Sequence, residues 1–169
     1  MSTSVIQKPA TNRFIRKLLA WLPTLFWLGL IASFSTDTFS AAHTGGILMR
    51  IIHAVYGSIS HRQFELLHFF IRKTAHFTVY GILGCIAFLA WRKTLPASQR
   101  WTWGWFGLAM TVVFVAASLD EFHQTFVPSR TGTSRDVLLD LVGAMFFQIL
   151  IAVFLRERQR ERDRTVLRS

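Results

Sequence analysis

Four long apolar runs order the chain, at residues 18–34, 74–91, 101–119 and 137–155. Each approaches the roughly 20 mainly apolar residues that an α-helix needs to cross a bilayer. Pro23 falls in the first run, tolerable near a helix start or where neighbouring helices satisfy the freed carbonyl. Only the fourth run holds a carboxylate, Asp140, one turn inside its start. The connection over residues 36–71 is too long for a plain loop. Within it Leu48, Ile51, Ile52, Val55 and Ile59 recur at helical spacing opposite Arg50 and His53, over a stretch too short to span. That pattern predicts an amphipathic helix on the outer leaflet. From Gln63 onward the second helix has room to start early, and Glu65, His68, Arg72 and His76 then form one stripe running down into the membrane. The predicted fold class is all-α, a polytopic membrane protein built as a four-transmembrane-helix bundle with an amphipathic external helix.

Composition sharpens this reading. Of 169 residues, 51% are apolar and 17% charged, against roughly 25% charged in an average soluble domain, which argues against a soluble globular chain. The formal charge of +10 must therefore be segregated from the apolar bulk. Basic residues do punctuate the ends of the runs. Lys8, Arg13, Arg16 and Lys17 precede the first, Arg92, Lys93 and Arg100 follow the second, and six arginines follow the fourth, thirteen of the 19 basic residues in all. Because basic segments resist translocation, both termini are expected in the cytoplasm of a multi-pass membrane protein. Trp21, Trp91, Trp101 and Trp103 fall at the same predicted ends, where an indole keeps its ring in lipid and its N–H wet.

Three segments follow: a basic cytoplasmic stretch at 1–17, the membrane domain at 18–155 and an Arg-rich cytoplasmic tail at 156–169. The first apolar run exceeds the usual core of a cleaved secretory signal, which remains the alternative reading of the start. In the tail, arginines alternate with Glu157, Glu161 and Asp163 and no aromatic is interleaved, so a helical extension attracted to anionic lipid is expected and no nucleic-acid partner. The single cysteine, Cys85, excludes a disulfide framework and reads as mid-span packing. Gly81, Gly84, Gly104, Gly107 and Gly143 are expected to let helices approach closely.

The chemistry-bearing residues concentrate at the predicted outer ends of the spans. The third connection carries Asp120, Glu121, His123 and Gln124, then Pro128, Arg130, Arg135 and Asp136. Three motifs stand in order: Arg72-Lys73-x-x-His76-Phe77-x-x-Tyr80, then Asp120-Glu121-x-x-Gln124-x-Phe126-x-Pro128-x-Arg130, then Asp136-x-x-x-Asp140-x-x-Gly143. With the Phe34-Ser35 end of the first span they resemble the VanZ-like family of bacterial membrane proteins, over about residues 25 to 150. The chain departs from the family pattern at Ser129, often Gly, and at Asp140, often Asn. The resemblance implies a cell-envelope setting, a possible link to resistance to the glycopeptide teicoplanin through the family's namesake, and, by a remoter grouping, action on phosphate-containing lipid head groups.

Ionisable groups at the mouth of a helix bundle cost several kcal/mol unless paired, so they are functional-site candidates by default. His76, with an unperturbed pKa near neutrality, is the natural general base or nucleophile, and Asp120 or Glu121 could orient it. Arg72 and Arg130 could clamp a phosphate, with Lys73 as a point charge. Tyr80 and Gln124 complete the candidate substrate contacts. Asp136 and Asp140 could position Arg130 or hold a divalent metal ion, the one candidate cofactor. Rival readings stay open: Lys73 snorkelling at the interface, Tyr80 as packing, and Asp120, Glu121 and Arg130 as a salt-bridge lattice. His43, His53, His61 and His68 read as solvated loop residues. The expected partners are membrane lipids, including a phosphate-bearing lipid or envelope precursor. A non-enzymatic protein that shields or traffics an envelope component is the alternative function.

Overall fold

The computed structural model describes residues 10–36, 41–57, 59–95, 103–127 and 133–167. Six helices follow one another: α1 (Ala10–Leu19), α2 (Leu22–Phe34), α3 (Ala41–Tyr56), α4 (His61–Thr94), α5 (Trp103–Gln124) and α6 (Ser134–Val166). There is no strand among the described residues. Four stretches are long and apolar enough to cross a membrane: Phe14–Phe34, His61–Thr94, Trp103–Gln124 and Ser134–Val166. The chain is an all-α, multi-pass membrane protein.

Pro23 divides the first run. It sits in the first turn of α2, where a missing N–H costs nothing, so α1 ends before it and α2 begins afresh. α4 starts thirteen residues before the second apolar run, because Ser60 and Gln63 close a reciprocal capping box that satisfies the first free N–H groups. Its 34 residues extend about 51 Å, well beyond a hydrocarbon core of roughly 30 Å, so its polar ends must emerge. α6 likewise runs unbroken from the site into the Arg-rich tail.

The bundle is tightest between α4 and α6. A Cβ on Gly143 would lie 2.3 Å from the carbonyl oxygen of Phe77, and one on Gly84 would lie 3.0 Å from Cβ of Ala144, so the two backbones nearly touch. Gly104 and Gly107, expected to do the same for α5, face nothing within 4 Å. Tyr80, Leu83, Val113, Ala117 and Ala144 form the central core where α4, α5 and α6 meet, joined by Ile31 of α2. α2 is tied on by polar contacts as well. Trp27 Nε1 donates to the Val79 carbonyl at 2.9 Å, and Trp21 Nε1 donates to Thr94 Oγ1 at 3.0 Å. α3 rests on α4 near Gly45, where an added Cβ would meet the Phe64 ring at 3.7 Å, with Ile52 buried. Ile51 and Val55 stay exposed, so its apolar stripe is only partly used within the chain.

Candidate functional site

Three helices bring polar side chains to one end of this apolar bundle. Asp136 and Asp140 lie one turn apart on the buried face of α6, and Asp120, Glu121 and Gln124 close the end of α5. Arg72, Lys73, His76 and Tyr80 descend α4 at the spacings of one helix face. Lys73 Nζ donates to Asp136 Oδ1, and one guanidinium nitrogen of Arg72 stands 3.9 Å from Asp136 Oδ2. Asp136 is thus held by both Arg72 and Lys73 of α4.

One turn deeper, His76 Nδ1 lies 3.4 Å from Oδ1 of the fully buried Asp140. The sequence offered Asp120 or Glu121 as the group orienting His76; the structure sets Asp140 against this nitrogen. Asp120 and Glu121 approach the same imidazole from α5. One ring nitrogen and one oxygen from each carboxylate all lie within 4.8 Å of one another. The His76 ring stacks loosely on Tyr80, with centroids 6.1 Å apart. Gln124 Nε2 donates to Asp120 Oδ2 at 2.9 Å, which spends the helical i, i+4 relation on holding that carboxylate.

Two contacts were invisible to sequence reasoning. The backbone N–H of Thr133 donates to Glu121 Oε2 at 2.7 Å, fastening the start of α6 to the end of α5. Ser35 Oγ lies 3.3 Å from His123 Nδ1, linking the end of α2 to the same corner. The Phe34-Ser35 pair marked the first of these residues, but no spacing rule connects Ser35 to His123. Gln148 was also passed over. It is fully buried two turns below Asp140 on the same face, and the positions 136, 140, 144 and 148 were the available signal. Arg130, a predicted phosphate clamp, and Pro128 lie outside the described residues.

Several oxygens here have no donor. Asp120 Oδ1, Glu121 Oε1, Gln124 Oε1, both Asp140 oxygens and the Tyr80 hydroxyl are buried without a hydrogen-bond partner among the described residues. Such groups are expensive in low dielectric and mark a place built for something else. A half-open groove of about 250 Å³ reaches the cluster between α2 and α5. Its walls are apolar, from Leu28, Ile31, Ala116 and Leu119, and its polar end is formed by Ser35, Asp120 and His123.

The family model described as VanZ/LLP1 matches residues 14–155, a stretch that holds every residue of this cluster. This chain belongs to the VanZ/LLP1 family. No curated protein and no solved structure matches it. Membership of VanZ/LLP1 and four apolar helices together make it a VanZ-like membrane protein.

Proposed function

We propose that this VanZ-like protein handles the phosphate-bearing head group of a membrane lipid or lipid-linked envelope precursor at the outer face of the bacterial cytoplasmic membrane. The observation that carries this reading is the convergence of His76, Asp120 and Glu121 within 4.8 Å, with Asp120 also lining the polar end of a groove whose walls are apolar. A lipid has that same division, an acyl body and an ionic head. His76, Asp120 and Glu121 form the reacting centre, and Asp140 holds the imidazole from behind. Arg72 meets Asp136 through a single nitrogen, which leaves further donors of its fork for an anionic oxygen. The alternative, a non-enzymatic shielding or trafficking protein, draws support from the number of charges already paired, notably Lys73 with Asp136.

Native mass spectrometry of lipid adducts tests the binding half of the proposal. The purified protein should retain an anionic, phosphate-bearing lipid in preference to a zwitterionic lipid with the same chains. Arg72→Gln should reduce that preference several-fold, and Arg162→Gln, in the exposed tail, should leave it unchanged. Indifference to Arg72 would return this residue to interfacial snorkelling and remove the head-group site.

A further inference from the structure

Among the described residues, charge balance at the inner half of the cluster does not close. Asp120, Glu121 and Asp140 bring three carboxyl groups together, and among the described residues no Lys or Arg nitrogen lies within 4.0 Å of any of them. Lys73 and Arg72 are directed at Asp136 instead. His76 supplies at most one positive charge. Like-charged carboxylates in a low-dielectric place repel unless a proton or a cation intervenes.

Two independent features point to a metal ion as the missing charge. First, the ligand atoms are already gathered: one nitrogen of His76 and one oxygen each of Asp120 and Glu121 lie within 4.8 Å of one another. Ligands about 2.1 Å from a common ion at tetrahedral angles stand ~3.4 Å apart, so closing the set needs side-chain movements of up to about 1.4 Å, within the reach of rotamer adjustment. Second, Glu121 is 5% exposed and its Oε1 has no hydrogen-bond partner among the described residues, whereas its Oε2 is fixed by the Thr133 N–H at 2.7 Å. One oxygen is anchored so that the other is presented. Asp120 repeats the arrangement, with Oδ2 held by Gln124 at 2.9 Å and Oδ1 left without a donor. Asp140 Oδ1 lies 3.4 Å from His76 Nδ1, near enough for a carboxylate to fix the ring once the other ring nitrogen binds an ion. The groove between α2 and α5 supplies an entry path that ends at Asp120.

We infer that His76, Asp120 and Glu121 bind a divalent cation, with Asp140 positioning His76 from behind. The sequence had assigned this capacity to Asp136 and Asp140, but Asp136 is occupied by Lys73 and Arg72. One imidazole and two carboxylates form a borderline-to-hard set that suits Mn²⁺ or Zn²⁺ and has no thiolate to draw softer ions. Three protein ligands leave coordination positions open for an anionic oxygen. The inference deepens the head-group reading, in that the ion would meet the phosphate and His76 would act through it rather than as a free base. Ion binding itself does not depend on that reading.

The test uses the full chain in detergent, stripped with a chelator and titrated with Mn²⁺ alone, free ion being followed by its electron paramagnetic resonance signal. We expect one Mn²⁺ per chain, displaced by Zn²⁺, and a rise in melting temperature on binding. Glu121→Gln should weaken binding at least tenfold, and Glu65→Gln, exposed on the far part of α4, should leave it within twofold. Asp120→Asn keeps an acceptor for Gln124 and carries the same expectation should Glu121→Gln not purify. Absence of stoichiometric binding, or equal binding by both site variants and the wild type, would overturn the metal site. Repeating the lipid-adduct measurement with and without chelator separates the two claims. An anionic preference that survives without any Mn²⁺ binding leaves the head-group reading standing and removes the ion, whereas Mn²⁺ binding without lipid preference does the reverse.

Discussion

His76 is the residue on which the site turns, and its neighbourhood makes it part of the scaffold as well. Asp140 is fully buried, and His76 is its nearest charged partner at 3.4 Å. Removing one member of a buried pair strands the other at a cost of about 3–5 kcal/mol. His76→Ala should therefore lower the melting temperature in detergent by at least about 5 °C. Adding Asp140→Asn should recover most of that loss, since an amide carries no charge to strand. Unfolding curves of the two variants decide it, and a single variant as stable as the wild type would show that the contact carries no stability. Both residues stood out in the sequence as intramembrane ionisable groups, yet their pairing was not legible there. They are 64 positions apart, and nothing in the spacing along α4 or along α6 fixes how one helix is rotated against the other.

At the scale of elements, the determinant of that rotation is Gly143. It seats against the backbone of Phe77, the residue after His76, and so sets the register that puts Asp140 beside the imidazole. Gly143→Ala would force a Cβ to within 2.3 Å of a helix carbonyl, which no side-chain rotation relieves. We expect α4 and α6 to separate, with about 1–3 kcal/mol or more of destabilisation. Gly29→Ala, facing nothing within 4 Å, should be neutral or slightly stabilising in the same melting assay. The existence of the spans was readable because apolar runs report where hydrocarbon surrounds the chain. Their ends were less so, since a helix stops where its backbone hydrogen bonds find no further partners. The early start of α4 was legible from Gln63 onward in the stripe of Glu65, His68, Arg72 and His76, and the Ser60–Gln63 capping box places it two residues earlier, at His61. The kink-prone Pro23 was legible as a residue, and its division of the first span into α1 and α2 only as geometry.

For the whole molecule, four spans would put both ends of the chain on one side, and the basic excess of the sequence predicts that this side is the cytoplasm. Single cysteines at Glu157 and Thr133, in a chain whose Cys85 is replaced, should be respectively protected from and reactive towards an impermeant thiol reagent in intact cells. The opposite pattern would invert the topology and move the polar end of the bundle to the cytoplasmic face. The groove between α2 and α5 then has a kinetic meaning. Its exposed lining residues are Ala32 and Leu119 on the apolar walls and His123 at the polar end, so apolar surface and polar end are both reachable from outside. A lipid whose chains lie along the apolar walls, as proposed above, would be delivered by two-dimensional diffusion and would never have to leave the bilayer. Occupancy would follow the mole fraction of that lipid in the membrane surface, and diluting it with inert lipid would matter where diluting the suspension would not.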